Sequence, residues 1–305
     1  MTKTITLLDG GMGMELTRRS QAAHAVPLWS AQVMMDEPAL VAAVHRDFLD
    51  AGAEVLLLNT YSATRRRLLR NGYGDITAEL HAIAVRLANQ ALAASGRSAR
   101  IAGCLPPLVM SYAVGDVPLY AEARAEFAEL VALQAPHVDL MIAETMGTVA
   151  EGVAATEASV AAGLPTWCAF SVDDSDGTRL RSGEPLTAAF AAARAAGAEA
   201  LLVNCSRPEA VSQGLAAVQA TLPGLDARVG GYANGFVSID ALDASRSVDV
   251  LQARVDLDPA AYAEHVERWI ALGATIVGGC CEVGPAHIAE LARRLGKAHE
   301  ATIPA

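Results

Sequence analysis

The stretch Ala196-Gly197-Ala198-Glu199-Ala200-Leu201-Leu202-Val203-Asn204-Cys205 carries the pattern that decides the fold. An alanine-rich, helix-compatible run ends at Gly197, a residue suited to the left-handed turn that closes a helix. A continuous apolar run follows and stops at a polar residue and a thiol, as a parallel strand buried on both faces does. The same order recurs along the chain. Ala51-Gly52-Ala53-Glu54 leads into Val55-Leu56-Leu57-Leu58-Asn59-Thr60, and Ala162-Gly163-Leu164-Pro165 leads into Trp167-Cys168-Ala169-Phe170-Ser171. Leu272-Gly273-Ala274 leads into Thr275-Ile276-Val277-Gly278-Gly279-Cys280. Residues 5–9, 100–104, 138–144 and 227–232 read as four further strands, for eight in all.

The segments between them read as helices. Asp36-Glu37-Pro38 opens one with Leu40, Val41, Val44, Phe48 and Leu49 on its inner face. Asp75 caps a second, lined by Leu80, Ile83, Leu87 and Ala91, and Asp258-Pro259 opens a third, with Tyr262, Val266, Trp269 and Ile270 inward. Short polar caps and a proline in the first turn suit the free N–H groups there. Eight βα units predict one (β/α)8 TIM barrel over residues 1–305, with active residues at the C-terminal ends of the strands. A doubly wound open sheet is the alternative. Two long loops, 105–119 and 233–257, follow strands and are expected over the barrel mouth.

Of 305 residues, 52% are apolar and 19% charged, which provides for a sizeable core. The net charge of −11 excludes a sequence-independent nucleic-acid binder, which needs clustered cations, and suits an anionic membrane surface poorly. No secretory signal and no uncharged run of ~18 residues is visible, so a cytoplasmic protein is expected. Five cysteines, two of them adjacent, do not read as a disulfide framework.

Three thiols fall at the ends of the sixth and eighth strands: Cys205, Cys280 and Cys281. Three cysteine ligands leave one tetrahedral position on zinc open, as in catalytic sites. A vicinal redox disulfide at Cys280-Cys281 is the competing chemistry. Three thiolates leave the site at net charge −1, a weak Lewis acid that favours alkyl transfer to a thiol over hydrolysis. Cys168 and Cys104 read as packing residues. Other rim positions are Asp9, residues 59–61, Glu144, residues 171–173 and residues 232–234.

These residues resemble the homocysteine S-methyltransferase family. Leu8-Asp9-Gly10-Gly11-Met12-Gly13-Met14-Glu15-Leu16 is similar to its first strand and loop. Pro27-Leu28-Trp29-Ser30, Asn59-Thr60-Tyr61, Glu144-Thr145 and Arg181-Ser182-Gly183-Glu184-Pro185-Leu186 match further segments. Val203-Asn204-Cys205 and Gly278-Gly279-Cys280-Cys281 match its two zinc motifs, and together these are the specific signal. The resemblance implies a zinc-bearing barrel that methylates homocysteine to methionine. It implies Zn2+ on Cys205, Cys280 and Cys281, with the homocysteine ammonium between Asp9 and Glu144. Trp29 and Tyr61 match positions near a cationic methyl donor, whose charge an aromatic face stabilises. Asn234 is implied as a substrate-site residue whose amide oxygen fills the fourth zinc position when substrate is absent.

The short tail lacks the extension of the betaine-using branch, which points to S-methylmethionine or S-adenosylmethionine as donor. Betaine, a selenol or other thiol acceptor, a non-catalytic zinc barrel, and a lyase using Glu144 as base are the alternatives. Expected partners are small molecules only, for a monomer or small homo-oligomer. Two segments depart from the family: Gly103-Cys104-Leu105-Pro106-Pro107 stands for G-S-I-G-P, and Tyr232-Ala233-Asn234-Gly235-Phe236 for Y-P-N-S-G. Arg65-Arg66-Arg67 reads as a solvated helix face, Asp173-Asp174-Ser175-Asp176-Gly177 as a turn, and His45, His81, His265 and His287 as surface or packing residues.

Overall fold

The structure, a computed structural model, describes residues 4–21, 28–239, 242 and 251–297. Pro27, His24, His299, residues 240, 241 and 243–250 of the second long loop and the tail beyond residue 297 lie outside the described residues. Eight strands form one parallel sheet: β1 (Thr6–Leu7), β2 (Val55–Leu57), β3 (Arg100–Leu105), β4 (Leu140–Met146), β5 (Thr166–Phe170), β6 (Ala200–Asn204), β7 (Arg228–Tyr232) and β8 (Ile276–Val277). Their order, β1-β8-β7-β6-β5-β4-β3-β2, runs round the molecule. A parallel bridge between Leu8 and Val55 closes the ring, which makes a (β/α)8 TIM barrel and excludes the open sheet.

The eight predicted strands are all present, with ends shifted by a few residues. The first and last are the shortest, because the chain leaves the ladder early. Gly279 N–H donates to Asp9 O (3.0 Å) and Cys280 N–H to Ala233 O (2.9 Å). A Cβ on Gly279 would sit 2.1 Å from Val283 Cγ1, so only glycine permits that crossing.

Helix starts follow the caps read from the sequence, with one exception. Pro38 opens α3 (Pro38–Asp50), and the Asp258 carboxylate accepts from Ala261 N–H (2.8 Å) at α10 (Pro259–Ala271). Asp75 does not cap α5 (Thr77–Ser95); it takes the Thr77 hydroxyl (3.0 Å) instead. The two faces of each strand serve different layers. Ala102, Leu140, Ile142, Trp167, Ala169, Ala200, Leu202 and Tyr232 fill the barrel's interior, while Met141, Ala143, Cys168 and Leu201 pack under the helices. Two residues further along the inward rows stand Cys104, Glu144 and Asn204, so the period of the pleat alone aims them at the mouth. Among the described residues no helix is long and apolar enough to cross a membrane.

The predicted packing histidines are buried at two positions. His45 is fully buried with neither ring nitrogen partnered, and His81 Nε2 lies 3.0 Å from Ala63 O. Burial pushes both from 6.5 down to about 4. As pH falls through 6.5 the unfolded chain takes up these protons and the folded chain does not. The stability lost is therefore spread between pH 6.5 and about 4. Asp9, Glu144 and Glu151, raised by burial, act in the opposite sense over pH 4 to 8, so a difference measurement isolates one group. Against wild type, His45→Leu should gain about 3 kcal/mol of relative stability as pH drops from 7 to 4. Urea unfolding at several pH values measures this, and a pH-independent difference would show that His45 is protonated alike in both states.

Candidate active site

The tip of β7 organises the mouth. Cys205 N–H donates to Tyr232 O (3.1 Å) and Asn234 N–H to Ser206 O (3.0 Å) on one side. Cys280 N–H donates to Ala233 O (2.9 Å), and Gly235 N–H to Cys281 O (2.9 Å), on the other. Both thiol-bearing segments are thus hung on one four-residue spacer. The Tyr262 hydroxyl locks it further, accepting from Ala233 N–H (3.1 Å) and donating to Gly278 O (2.7 Å). A proline at 233 would lack that N–H.

The result is that the sulfurs of Cys205, Cys280 and Cys281 all lie within 4.8 Å of one another. A tetrahedral metal with bonds of about 2.3 Å to sulfur needs its sulfurs about 3.8 Å apart, which this set can meet with small rotations. All five cysteines are free, and no disulfide joins Cys280 to Cys281. Hydrogen bonds from the other two thiols draw the Cys205 thiol well below its usual range, which favours a thiolate there.

Asp9 and Glu144, 6% and 5% exposed, stand at the same mouth, Asp9 on the strand beside the Cys280-Cys281 segment. Asp9 Oδ2 accepts Leu57 N–H (2.8 Å), filling the gap between β1 and β2. Glu144 accepts from the Cys104 thiol at Oε1 (3.1 Å) and from the Tyr232 hydroxyl at Oε2 (3.4 Å). Cys104 is therefore a partner of the site carboxylate as well as a packing residue. Burial raises Asp9 to about 8 and Glu144 to about 7, the second carboxylate adding to the rise at Asp9. Two such groups gain by receiving a cation between them.

Asp9, Glu144, Trp29, Tyr61 and the three cysteines line one cavity of about 920 Å³, its open mouth included. The Trp29 and Tyr61 rings stand 6.2 Å apart, and the Tyr61 hydroxyl pairs with Ser111 Oγ (2.7 Å). Asn59 ties this wall to the barrel by donating to Ser30 O (3.1 Å). Asn234 does not line the cavity. It is fully buried, its Oδ1 accepts from Phe236 N–H (3.2 Å), and its Nδ2 has no partner. Its amide oxygen takes part in a turn after β7.

Three features escaped the sequence reading. Arg67 is buried where a solvated face was expected. It donates to Val109 O (2.8 Å) and its guanidinium lies 5.0 Å from the Tyr61 ring, while Arg66 pairs outward with Glu122 and Glu126. Tyr112, from the first long loop, reaches Cys205 Sγ (3.1 Å). The third feature is backbone strain. Among the described residues the non-glycine positions with positive φ are Tyr112, Thr145, Cys205 and Glu282, every one at or beside a site residue. Each costs about 1–2 kcal/mol, held by the surrounding bonds. Arg181-Ser182-Gly183-Glu184 serves that end: Glu184 Oε2 accepts Val149 N–H (3.0 Å), bracing the turn that follows Glu144. The run 173–177 is the turn expected, with Asp173 Oδ1 accepting from Ser175 and Asp176 N–H.

A barrel that gathers three thiols and two buried carboxylates at one mouth has the groups to hold a metal ion and a cationic group side by side. The family model for "Homocysteine S-methyltransferase" matches residues 6–295, and the chain belongs to that family. It is 30% identical to the homocysteine S-methyltransferase of Escherichia coli K12, over 95% of each chain. It is 28% identical to homocysteine S-methyltransferase 4 of Zea mays, covering 98% of this chain and 92% of that one. The crystal structure of the E. coli homocysteine methyltransferase MmuM in its metallated form superposes with a TM-score of 0.78 at 26% identity, over 96% of each chain.

Asn204 links the two halves of the site. Its Oδ1 accepts Thr145 N–H and its Nδ2 donates to Thr145 Oγ1, both at 2.9 Å. Asn204→Leu leaves a buried N–H without a partner at a strained residue, and should cost about 3 kcal/mol in urea unfolding. A loss below about 1 kcal/mol would show that the Glu144 turn stands without this brace.

Proposed function

We propose that this protein is a zinc-dependent homocysteine S-methyltransferase that moves a methyl group from a sulfonium donor to homocysteine, forming methionine. The observation that carries the reading is the cavity itself, which brings three clustered thiols together with Asp9 and Glu144. Thiolate donors with one open position suit zinc among the biological metals. Bound there, zinc would take up the acceptor's sulfur as a thiolate, the thiol proton being released to solvent.

The chain's own residues do the rest. Asp9 and Glu144 bind the homocysteine ammonium and so fix the direction of its sulfur. Trp29 and Tyr61 offer π faces to the donor cation without accepting a proton. The acceptor sulfur then attacks the methyl carbon in line, and the electron pair of the breaking C–S bond stays on the departing thioether. Holding both substrates in this geometry supplies much of the rate.

Charge supports the choice of donor. Among the described residues lining the cavity there is no Lys, Arg or His, and its charged groups are Asp9, Glu144 and the thiols. A donor of net positive charge, such as S-methylmethionine or S-adenosylmethionine, suits that field better than betaine, which carries no net charge. A selenol acceptor is a second reading, favoured by 25% identity to a selenocysteine Se-methyltransferase of Brassica oleracea over 95% of this chain. Small-molecule partners, a monomer or small homo-oligomer, and a reducing cytoplasm that keeps five thiols free belong to the same reading.

The test is product formation by the reduced, zinc-loaded protein, given homocysteine or selenocysteine with each donor in turn. Methionine should form with a sulfonium donor and not with betaine. Cys281→Ala should lose zinc and turnover together. Absence of methylated product with every pair, zinc being bound, would reject the reading. Asp9→Asn and Glu144→Gln should each raise the homocysteine KM by about tenfold or more, with zinc content unchanged. An unaltered KM would remove the carboxylates from acceptor binding.

A further inference from the structure

A site that presents several metal-held thiolates to a methyl donor faces a selectivity problem, and the first long loop bears on it. Tyr112 stands in that loop at φ 67°, a left-handed conformation that costs energy for a tyrosine. Its single hydroxyl proton faces two acceptors of one residue, Cys205 Sγ at 3.1 Å and Cys205 O at 3.3 Å, and a thiolate is the stronger of the two. The ring is fixed from behind by the Arg181 guanidinium, 5.0 Å from its centroid. Arg181 is itself buried, its Nε donating to Ser171 Oγ (3.1 Å) and its Nη2 3.1 Å from Asp174 Oδ1. Ser171 Oγ in turn donates to Cys205 O (3.3 Å). The phenol is thus held from the far side of the barrel against one thiol of the three.

Resting on the reading above, we infer that the Tyr112 hydroxyl shields Cys205 from the methyl donor and so directs the methyl group to the acceptor sulfur. Cys205 lines the cavity that the donor would enter, and held on zinc its sulfur would keep lone pairs there. If it attacked, a sulfur–methyl bond would form on the protein and the carbon–sulfonium bond would break. The electron pair would leave with the neutral thioether, and a ligand would be lost. No proton is required, so only geometry and the electron density on sulfur prevent the reaction. A hydrogen bond from Tyr112 ties up part of that density and places an oxygen in the approach path.

The test compares wild type with Tyr112→Phe, which keeps the ring against Arg181 and removes only the hydroxyl. Each protein, zinc-loaded, is incubated with S-methylmethionine or S-adenosylmethionine without homocysteine, and the Cys205 peptide is followed by mass spectrometry for a methyl adduct. The variant should methylate Cys205 about tenfold faster, the rate equivalent of one charge-assisted hydrogen bond. In parallel, cobalt-substituted variant should show its sulfur-to-metal charge-transfer band at longer wavelength than wild type, since a freed thiolate is the better donor. Equal labelling of the two proteins, or an unshifted band, overturns the inference. Its failure is separable from that of the transfer reading: the latter falls if wild type makes no methylated product with homocysteine or selenocysteine, whatever the adduct and the band show.

Discussion

The site depends on the backbone hydrogen bonds of one short segment, Tyr232-Ala233-Asn234-Gly235. Cysteines 75 positions apart in the chain cannot meet by local folding, and strands β6 and β8 do not touch, because β7 lies between them. What brings their thiols within 4.8 Å is that the residues after β7 keep their N–H and C=O groups in use on both sides. Such a spacer must be thin. Gly235 makes it so, since a Cβ there would lie 2.9 Å from Glu282 Cβ, beside the second thiol segment. The metal set is therefore a consequence of sheet continuity beyond the sheet's formal end. Removing a bond of the spacer would disturb both thiol segments together.

Electrostatics follow from the same arrangement. The inward rows of a barrel are apolar until the last layer, where Cys104, Glu144 and Asn204 replace aliphatic side chains. A carboxylate in that layer has lost water without gaining a cation, and burial lifts Asp9 and Glu144 toward neutrality. The thiol of Cys104 and the hydroxyl of Tyr232 offset part of that cost for Glu144. The remainder would be recovered on entry of an ammonium, so the cavity favours a zwitterionic or cationic guest. A solvated pair of carboxylates would hold the same ammonium weakly.

How much of this was legible in the sequence follows from how local each signal is. The strands were readable because glycine, an apolar run and a polar stop lie within ten residues of one another. The thiols and carboxylates were readable because each ends such a run. Arg67 was misread because three consecutive arginines look like a solvated face, yet successive helix positions point 100° apart and only the third turns inward behind Tyr61. Asn234, placed at the substrate site by resemblance, lies fully buried in a turn, and that local bond has no signature in the spacing that suggested its role. Tyr112 had no local signal at all. Its position depends on Arg181, Asp174 and Ser171 from the far side of the barrel, and no spacing within residues 105–119 encodes them.

Strain binds these observations together. Four non-glycine residues in the left-handed region are an expense that an ordinary barrel would avoid by glycine or by relaxation. Here each side chain has a task that glycine cannot perform. Cys205 must carry a thiol, Glu282 accepts from Arg18 (3.0 Å) beside Cys281, Thr145 pairs with Asn204 next to Glu144, and Tyr112 reaches Cys205. The compensating bonds come from elements distant in sequence, so the whole barrel takes part in holding the mouth. A site stiffened in this way places its groups before substrate arrives and does not spend binding energy on ordering them. For a reaction whose chemistry is a single in-line displacement, with no general acid or base to supply, such preorganisation is the main contribution the chain itself can make.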